Sequence, residues 1–148
     1  MEIVIETPNS PRKRKGTNWE KWGWMYMRIS GAVLVVLIFG HLLVNMVLPE
    51  GGVKAIDFAF VAGKWANPFW QVYDCLMLWL ALIHGTNGMR TLVNDYTERE
   101  AVRKTLQIIL LVTCVALLVI GTLTLTTFDP CIDPAAHGPH GYLSNICK

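Results

Sequence analysis

Charge is what this chain has least of. Asp, Glu, Lys and Arg make up 16% of its 148 residues, against about a quarter in soluble domains, and 53% of the residues are hydrophobic. So little polar surface cannot coat a water-soluble fold of this size, and the composition indicates a small integral membrane protein. The net charge of +2 is too small for a nucleic-acid binder. The cysteines and histidines show no CxxC and no HExxH spacing, which removes the common structural-zinc and zinc-protease patterns. No internal repeat and no low-complexity tract is seen. The first residues, MEIVIETPNSPRKRKG, hold no apolar core long enough for a secretory signal, and their charges follow the short apolar patch instead of preceding it. Residues 1–18 read as a polar arm.

Three long apolar runs are present. They are ISGAVLVVLIFGHLLVNMVL at 29–48, FWQVYDCLMLWLALIHGTNGMRTLV at 69–93, and LQIILLVTCVALLVIGTLTLTTF at 106–128. A run of about twenty residues spans about 30 Å as a helix, the thickness of a bilayer core. Lipid offers no partner to open backbone groups, so each run must be helical. The expected fold class is therefore an all-α membrane protein with three transmembrane helices, at about 29–48, 69–94 and 105–128. PEGG ends the first run, Pro68 opens the second, and Asp129 with Pro130 ends the third. The domain plan is an arm (1–18), a membrane domain (19–129) and a tail (130–148). A soluble bundle is the rival, but too few residues remain to cover three such helices.

Lysine and arginine set the direction. Ten of the thirteen lie in the segment through Arg28 or in 90–104; Lys54, Lys64 and Lys148 are the other three. The positive-inside rule then makes the N-terminus and the second loop cytoplasmic, and the first loop and the tail extracytoplasmic. Trp19, Trp22, Trp24 and Tyr26 form an aromatic belt at the inner surface; Trp65, Phe69 and Trp70 form one at the outer.

Asp74, His84, Arg90 and Asp95 all fall within or at the end of the second run. An ionisable group in a span costs roughly 3 kcal/mol unless it is paired, ligated or reaches water. His84, Asn87, Gly88, Thr91 and Asp95 share one helical face. Gly85 and Gly88 remove bulk beside the histidine, which suits a neighbouring helix or a flat ligand. The first run carries His41 after Gly40, with Asn45 one turn on. If Arg28 and Asp95 share a level, the two histidines differ in depth by about 3 Å. Imidazole suits haem iron, and two histidines saturate it for electron transfer. Arg28 has the charge and planar fork for a propionate. The bland alternative for His84 is a hydrogen-bonded packing residue. Cys75 and Cys114 read as packing residues.

The pattern His84, Gly88, Met89, Asp95 and Tyr96 resembles the second helix of the D-type hydrophobic anchor subunit of succinate dehydrogenase (complex II). WGWMYMRISG at 22–31 and DFAFVAGKWANPFWQVYDCLMLWLALIHGTNGMR at 57–90 are similar to actinobacterial members, and the likeness covers roughly residues 17–129. The resemblance implies a helical bundle formed with a second, C-type anchor subunit, holding haem b between them. It implies docking of iron–sulfur and flavoprotein subunits on the cytoplasmic face of the plasma membrane. Electrons from succinate, an intermediate of the tricarboxylic acid cycle, would reach a quinone, with the likeness leaning to menaquinone, and whole complexes could form a trimer. His84 takes the position of an axial haem ligand, Arg28 that of a propionate contact, Tyr96 that of the hydroxyl on a quinone carbonyl, and Asp95 that of its acidic neighbour. His41 lies in GHLLVN, which is similar to single-chain anchors holding two haems, so it is a second candidate ligand, either of another haem or of the same one. Arg90 departs from the family pattern; a snorkelling side chain is the first expectation, a haem or lipid anion the second.

In the tail, an extracytoplasmic Cys131 and Cys147 could pair as a disulfide, and His137 and His140 in HGPHG are weak metal candidates. The loop 49–68 could hold a short amphipathic helix on the outer surface. Three functions stay in play: an electron-transfer anchor of a succinate dehydrogenase or fumarate reductase, a structural or assembly membrane protein without haem, and a proton relay through Asp74, His84, Arg90 and Asp95.

Overall fold

The computed structural model describes residues 19–136 and, in the tail, 144 and 147; the arm 1–18 and the pair His137 and His140 lie outside the described residues. All regular structure among the described residues is helical. Helix α1 runs Trp19–Leu42 and continues as a π-turn, Leu43–Val47. A short 3-10 turn, Gly52–Ala55, leads to α2, Phe58–Trp65. Helices α3, Pro68–Tyr96, and α4, Glu100–Thr127, form a hairpin, and a 3-10 turn, Pro134–Ala136, lies in the tail.

The helix limits follow from local chemistry. The Asp57 side chain accepts from Phe60 N–H at 2.8 Å, capping α2, and Asn67 accepts from Phe69 N–H at 3.0 Å ahead of Pro68, capping α3. Gly51 and Gly52 have φ of +99° and +57°, a turn that disfavours residues with a Cβ. Helix α1 starts at Trp19, well before its apolar run, so the belt residues Trp22, Trp24 and Tyr26 are its first turns.

Helix α3 is the middle element. It packs along α4 and, less extensively, against α1. A layer of three helices leaves outward faces bare: Val36, Ile108, Leu111 and Ile120 are all more than 60% exposed, which water would not tolerate but lipid or another subunit does. The segment Lys21–Val47 and helix α4 are each long and apolar enough to cross a membrane. Helix α3 is as long, but Asp74, His84, Asn87 and Arg90 interrupt its apolar run.

One end of the bundle carries a cap. Cys131 and Cys147 are joined in a disulfide, with Cα atoms 5.5 Å apart. Ala62 of α2 is fully buried against Cys147, with Phe128 and Cys131 packed beside it. The Phe128 ring meets Trp65 edge-on at 5.0 Å and lies 6.0 Å from Phe58. The short helix expected in the first loop is therefore present, held onto the bundle end by the tail.

Candidate functional site

Helix α1 and the π-turn that continues it present Tyr26, Ser30, Leu34, Leu37, His41 and Asn45 at spacings of three and four. Three contacts fix how α1 meets α3. Ser30 Oγ lies 2.9 Å from His84 Nδ1, the Tyr73 hydroxyl donates to the Leu37 carbonyl at 2.6 Å, and His41 Nδ1 lies 3.2 Å from Asp74 Oδ1.

This register corrects one expectation. Arg28 and Asp95 do not share a level, because Ser30 stands opposite His84 and Asp95 lies eleven residues further along α3. His41 sits beside Asp74, ten residues from His84 along α3, so the two histidines are roughly 15 Å apart in depth. They cannot face each other across one iron.

At the His84 level the ring lies against α1. A Cβ built on Gly31 would approach His84 Cε1 to 3.2 Å, so Gly31 is the glycine that gives the ring its room. Beside Gly85 and Gly88 the space is open: a Cβ at either meets nothing within 4 Å. Ser30 is buried, and its hydroxyl also lies 3.4 Å from the Met27 carbonyl. A hydroxyl has one proton. If it goes to Met27, Nδ1 must carry its own proton and donate to Ser30, leaving Nε2 with a lone pair. That is the tautomer a metal takes, held from behind as metal-binding histidines are. Among the described residues, His84 Nε2 makes no hydrogen bond. The residues present thus fit a haem: an imidazole with Nδ1 on Ser30 and Nε2 making no hydrogen bond, on a helix with open space at Gly85 and Gly88. One turn from Ser30, the Tyr26 hydroxyl is buried and lacks a partner among the described residues. A buried orphan donor costs about 1–3 kcal/mol.

Arg28 is exposed and its guanidinium rests 4.0 Å above the Trp24 ring, available to an external anion. Asp95 and Tyr96 end α3. Tyr96 is 84% exposed and lines a shallow depression of about 370 Å³ with Thr97, Glu98, Arg99 and Val102. At twelve residues from His84, it lies about 18 Å away along the helix. The chain alone does not bring Tyr96 and His84 together.

The His41 level holds a cluster that residue spacing did not foretell. Asp74 accepts from Trp65 Nε1 at 2.8 Å and from Lys64 Nζ at 3.2 Å, besides meeting His41. Lys64 also donates to Asn45 Oδ1 at 3.2 Å, and Asn45 Nδ2 donates to the His41 carbonyl at 2.7 Å. The π-turn, closed by Leu48 N–H to Leu43 O at 2.9 Å, carries Asn45 in its middle; such turns interrupt helices where a side chain must be re-aimed. An apolar cavity of about 560 Å³ adjoins, lined by His41, Trp65, Asp74, Met77, Gly121 and Leu125 among others. Lys64 and Trp65 had read as loop charge and interface belt. The polar stripe on α1 was the available signal for Ser30 and Asn45; nothing in the spacing marks Lys64.

The profile of the family described as succinate dehydrogenase/fumarate reductase transmembrane subunit matches residues 4–120, most of the chain. The chain belongs to that family. The matched stretch takes in α1, α2, α3 and most of α4, and so holds Arg28, His41, Asp74, His84, Asp95 and Tyr96. Relatives named succinate dehydrogenase hydrophobic membrane anchor subunit agree. The protein of Rickettsia prowazekii (strain Madrid E) is 25% identical over 116 residues, covering 78% of this chain and 86% of the relative. That of Thermoplasma acidophilum is 25% identical over 95 residues, covering 64% and 76%. Membership in this transmembrane-subunit family explains the bare apolar faces and the two membrane-length helices.

Proposed function

We propose that this chain is the D-type anchor of a succinate:quinone oxidoreductase, crossing the plasma membrane three times through α1, α3 and α4, with its N-terminus in the cytoplasm. The observation that carries this reading is His84: Nδ1 held by Ser30, Nε2 uncommitted, and open space beside Gly85 and Gly88. His84 Nε2 would be one axial ligand of haem b, and a C-type partner would supply the other. When bound, haem b contributes reversible one-electron transfer. Arg28 would neutralise a propionate near the surface. Tyr96 would donate its hydroxyl to a quinone carbonyl, menaquinone being the favoured substrate, and Asp95 would link that carbonyl to the proton pool in the water phase. The iron–sulfur and flavoprotein subunits would dock at this end, and such complexes would associate as trimers.

Two features support the orientation. Among the described residues, Lys21, Arg28, Arg90, Arg99, Arg103 and Lys104 lie toward the Tyr96 end, and Lys54 and Lys64 toward the other. The Cys131–Cys147 disulfide suits an oxidising compartment, which supports a capped end that faces outside. His41 is the candidate for a second haem: Asp74 fixes its Nδ1, the pattern seen behind metal-bound histidines. The Asp74 cluster counts against a proton relay, since its carboxylate is committed to an ammonium and an indole.

The deciding experiment is a reduced-minus-oxidised absorption spectrum of the purified complex, wild type against His84→Ala. A b-type band that disappears in the variant is expected; no band in the wild type would end the haem reading. A fumarate reductase anchor would give the same spectrum, and the midpoint potential tells the two apart.

A further inference from the structure

Arg90 lies at the head of a groove between α3 and α4 that the site above does not use. The groove is lined by Ile83, Thr86, Asn87 and Arg90 from α3 and by Gln107, Leu110, Leu111, Cys114, Val115 and Leu118 from α4, and encloses about 470 Å³. Val115 and Leu118 also belong to a second depression of about 460 Å³, which continues the groove to Trp79, Thr122 and Leu123. The Trp79 indole N–H, donated to Thr122 Oγ1 at 3.0 Å, ties the two helices at its far end. Polar groups gather at the head: Arg90, Asn87 and Gln107, the last donating to Asn94 at 2.6 Å. Below them the walls are mainly apolar, with Thr86 and the Thr122–Trp79 pair the exceptions.

Arg90 is exposed and makes no ion pair or hydrogen bond among the described residues. It stands six residues before Tyr96, so about 9 Å inside the end of α3. That depth is the boundary between headgroups and acyl chains. A guanidinium there, over an apolar trough, is matched by a molecule with an anionic head and a hydrocarbon tail. Length agrees: from Leu110 to Thr122 the groove follows α4 for about 18 Å, close to half the ~30 Å hydrocarbon core, which is one leaflet.

We propose that this groove is a binding site for one anionic phospholipid of the cytoplasmic leaflet, its phosphate on Arg90 and an acyl chain along α4. Basic pockets between membrane helices on the cytoplasmic side recognise such headgroups, and the guanidinium fork matches phosphate oxygens in pairs. The site rests on the reading above that α3 crosses the bilayer with Arg90 toward the cytoplasm. It is separate from His84, which faces α1.

The test uses the whole purified complex, delipidated and then offered nanodiscs of phosphatidylglycerol or of phosphatidylcholine, with retained lipid counted by native mass spectrometry. Wild type should retain phosphatidylglycerol at least tenfold over phosphatidylcholine. Arg90→Gln should abolish that preference, Arg90→Lys should keep part of it, and Leu118→Trp, which fills the trough and spares the charge, should lower retention of both lipids. Equal retention of phosphatidylglycerol by wild type and Arg90→Gln would overturn the site. So would a photo-crosslinker at Leu111 that captures another subunit in place of lipid, or an Arg90→Gln complex that keeps its lipid and loses haem absorbance. Haem absorbance is recorded on the same samples, so a wild-type complex without haem overturns the haem reading while the retention ratio still decides this one.

Discussion

Lys64 Nζ lies 3.2 Å from Asp74 Oδ2, with the two side chains only 8% and 9% exposed: a buried ion pair that fastens α2 to the body of α3. Its desolvation is offset by further bonds, Trp65 and His41 on the carboxylate and Asn45 on the ammonium. Breaking such a pair from one side leaves an uncompensated buried charge, at about 3–5 kcal/mol. Asp74→Asn and Lys64→Met should each lower the thermal midpoint of the detergent-solubilised complex sharply. The pair Lys64→Met with Asp74→Leu should cost less than the two single changes together. Turnover per assembled complex should change little. An Asp74→Asn complex of wild-type stability with no turnover would favour the proton relay instead.

Ser30 should matter through His84. Ser30→Ala removes the group behind Nδ1, and loss of such a support weakens metal binding by roughly 10–100-fold. The expected result is haem that dissociates more readily on dilution, with the complex still assembled. Unchanged haem retention would show that the hydroxyl only packs.

Two glycines should behave oppositely. A Cβ on Gly40 would sit 2.6 Å from the Tyr73 hydroxyl, so Gly40→Ala must push the ring from its bond to Leu37 and destabilise the α1–α3 contact by about 1–3 kcal/mol. Gly88→Ala adds a Cβ that meets nothing within 4 Å in this chain. It should leave the chain's own helices intact and instead impair haem incorporation or pairing with the other anchor, read from the b-type band and from co-purification.

Reduction should loosen the cap. The Cys131–Cys147 bridge closes a separation of 16 residues, and a loop of that size contributes about 3 kcal/mol. Cys131→Ser with Cys147→Ser should speed amide exchange in α2 and leave α3 near His84 unaffected. After mild reduction of intact cells, a membrane-impermeant maleimide should label both cysteines. Protection from the outside would reverse the orientation.

Tyr96→Phe should leave assembly and the haem band untouched, because the side chain is 84% exposed in this chain. Losing one hydrogen bond to a quinone, about 1 kcal/mol, predicts a five- to tenfold fall in quinone-reductase activity (roughly) with succinate oxidation by an artificial acceptor preserved. Wild-type quinone reduction in the variant would remove Tyr96 from the site.

Much of this was legible before any coordinates. Apolar runs marked α1, α3 and α4, Pro68 marked the start of α3, and His84 stood out because an imidazole within an apolar run demands a reason. The start of α1 was less legible, since its aromatic first turns carry too much charge and polarity to look like a span. Lys64 and Trp65 were read as surface residues, because their partner Asp74 lies on the next helix and no periodicity connects them.

Residue pattern alone determined that the chain is helical, that it is built for lipid, and which face of α3 is polar. Helical period is blind to height: sliding α1 along α3 by a turn keeps the same faces in contact and the same residues apolar. Only tertiary packing decided the height, through Ser30 on His84, Tyr73 under Gly40 and His41 on Asp74. That register set the two histidines apart in depth and turned a loop lysine into the partner of a buried aspartate.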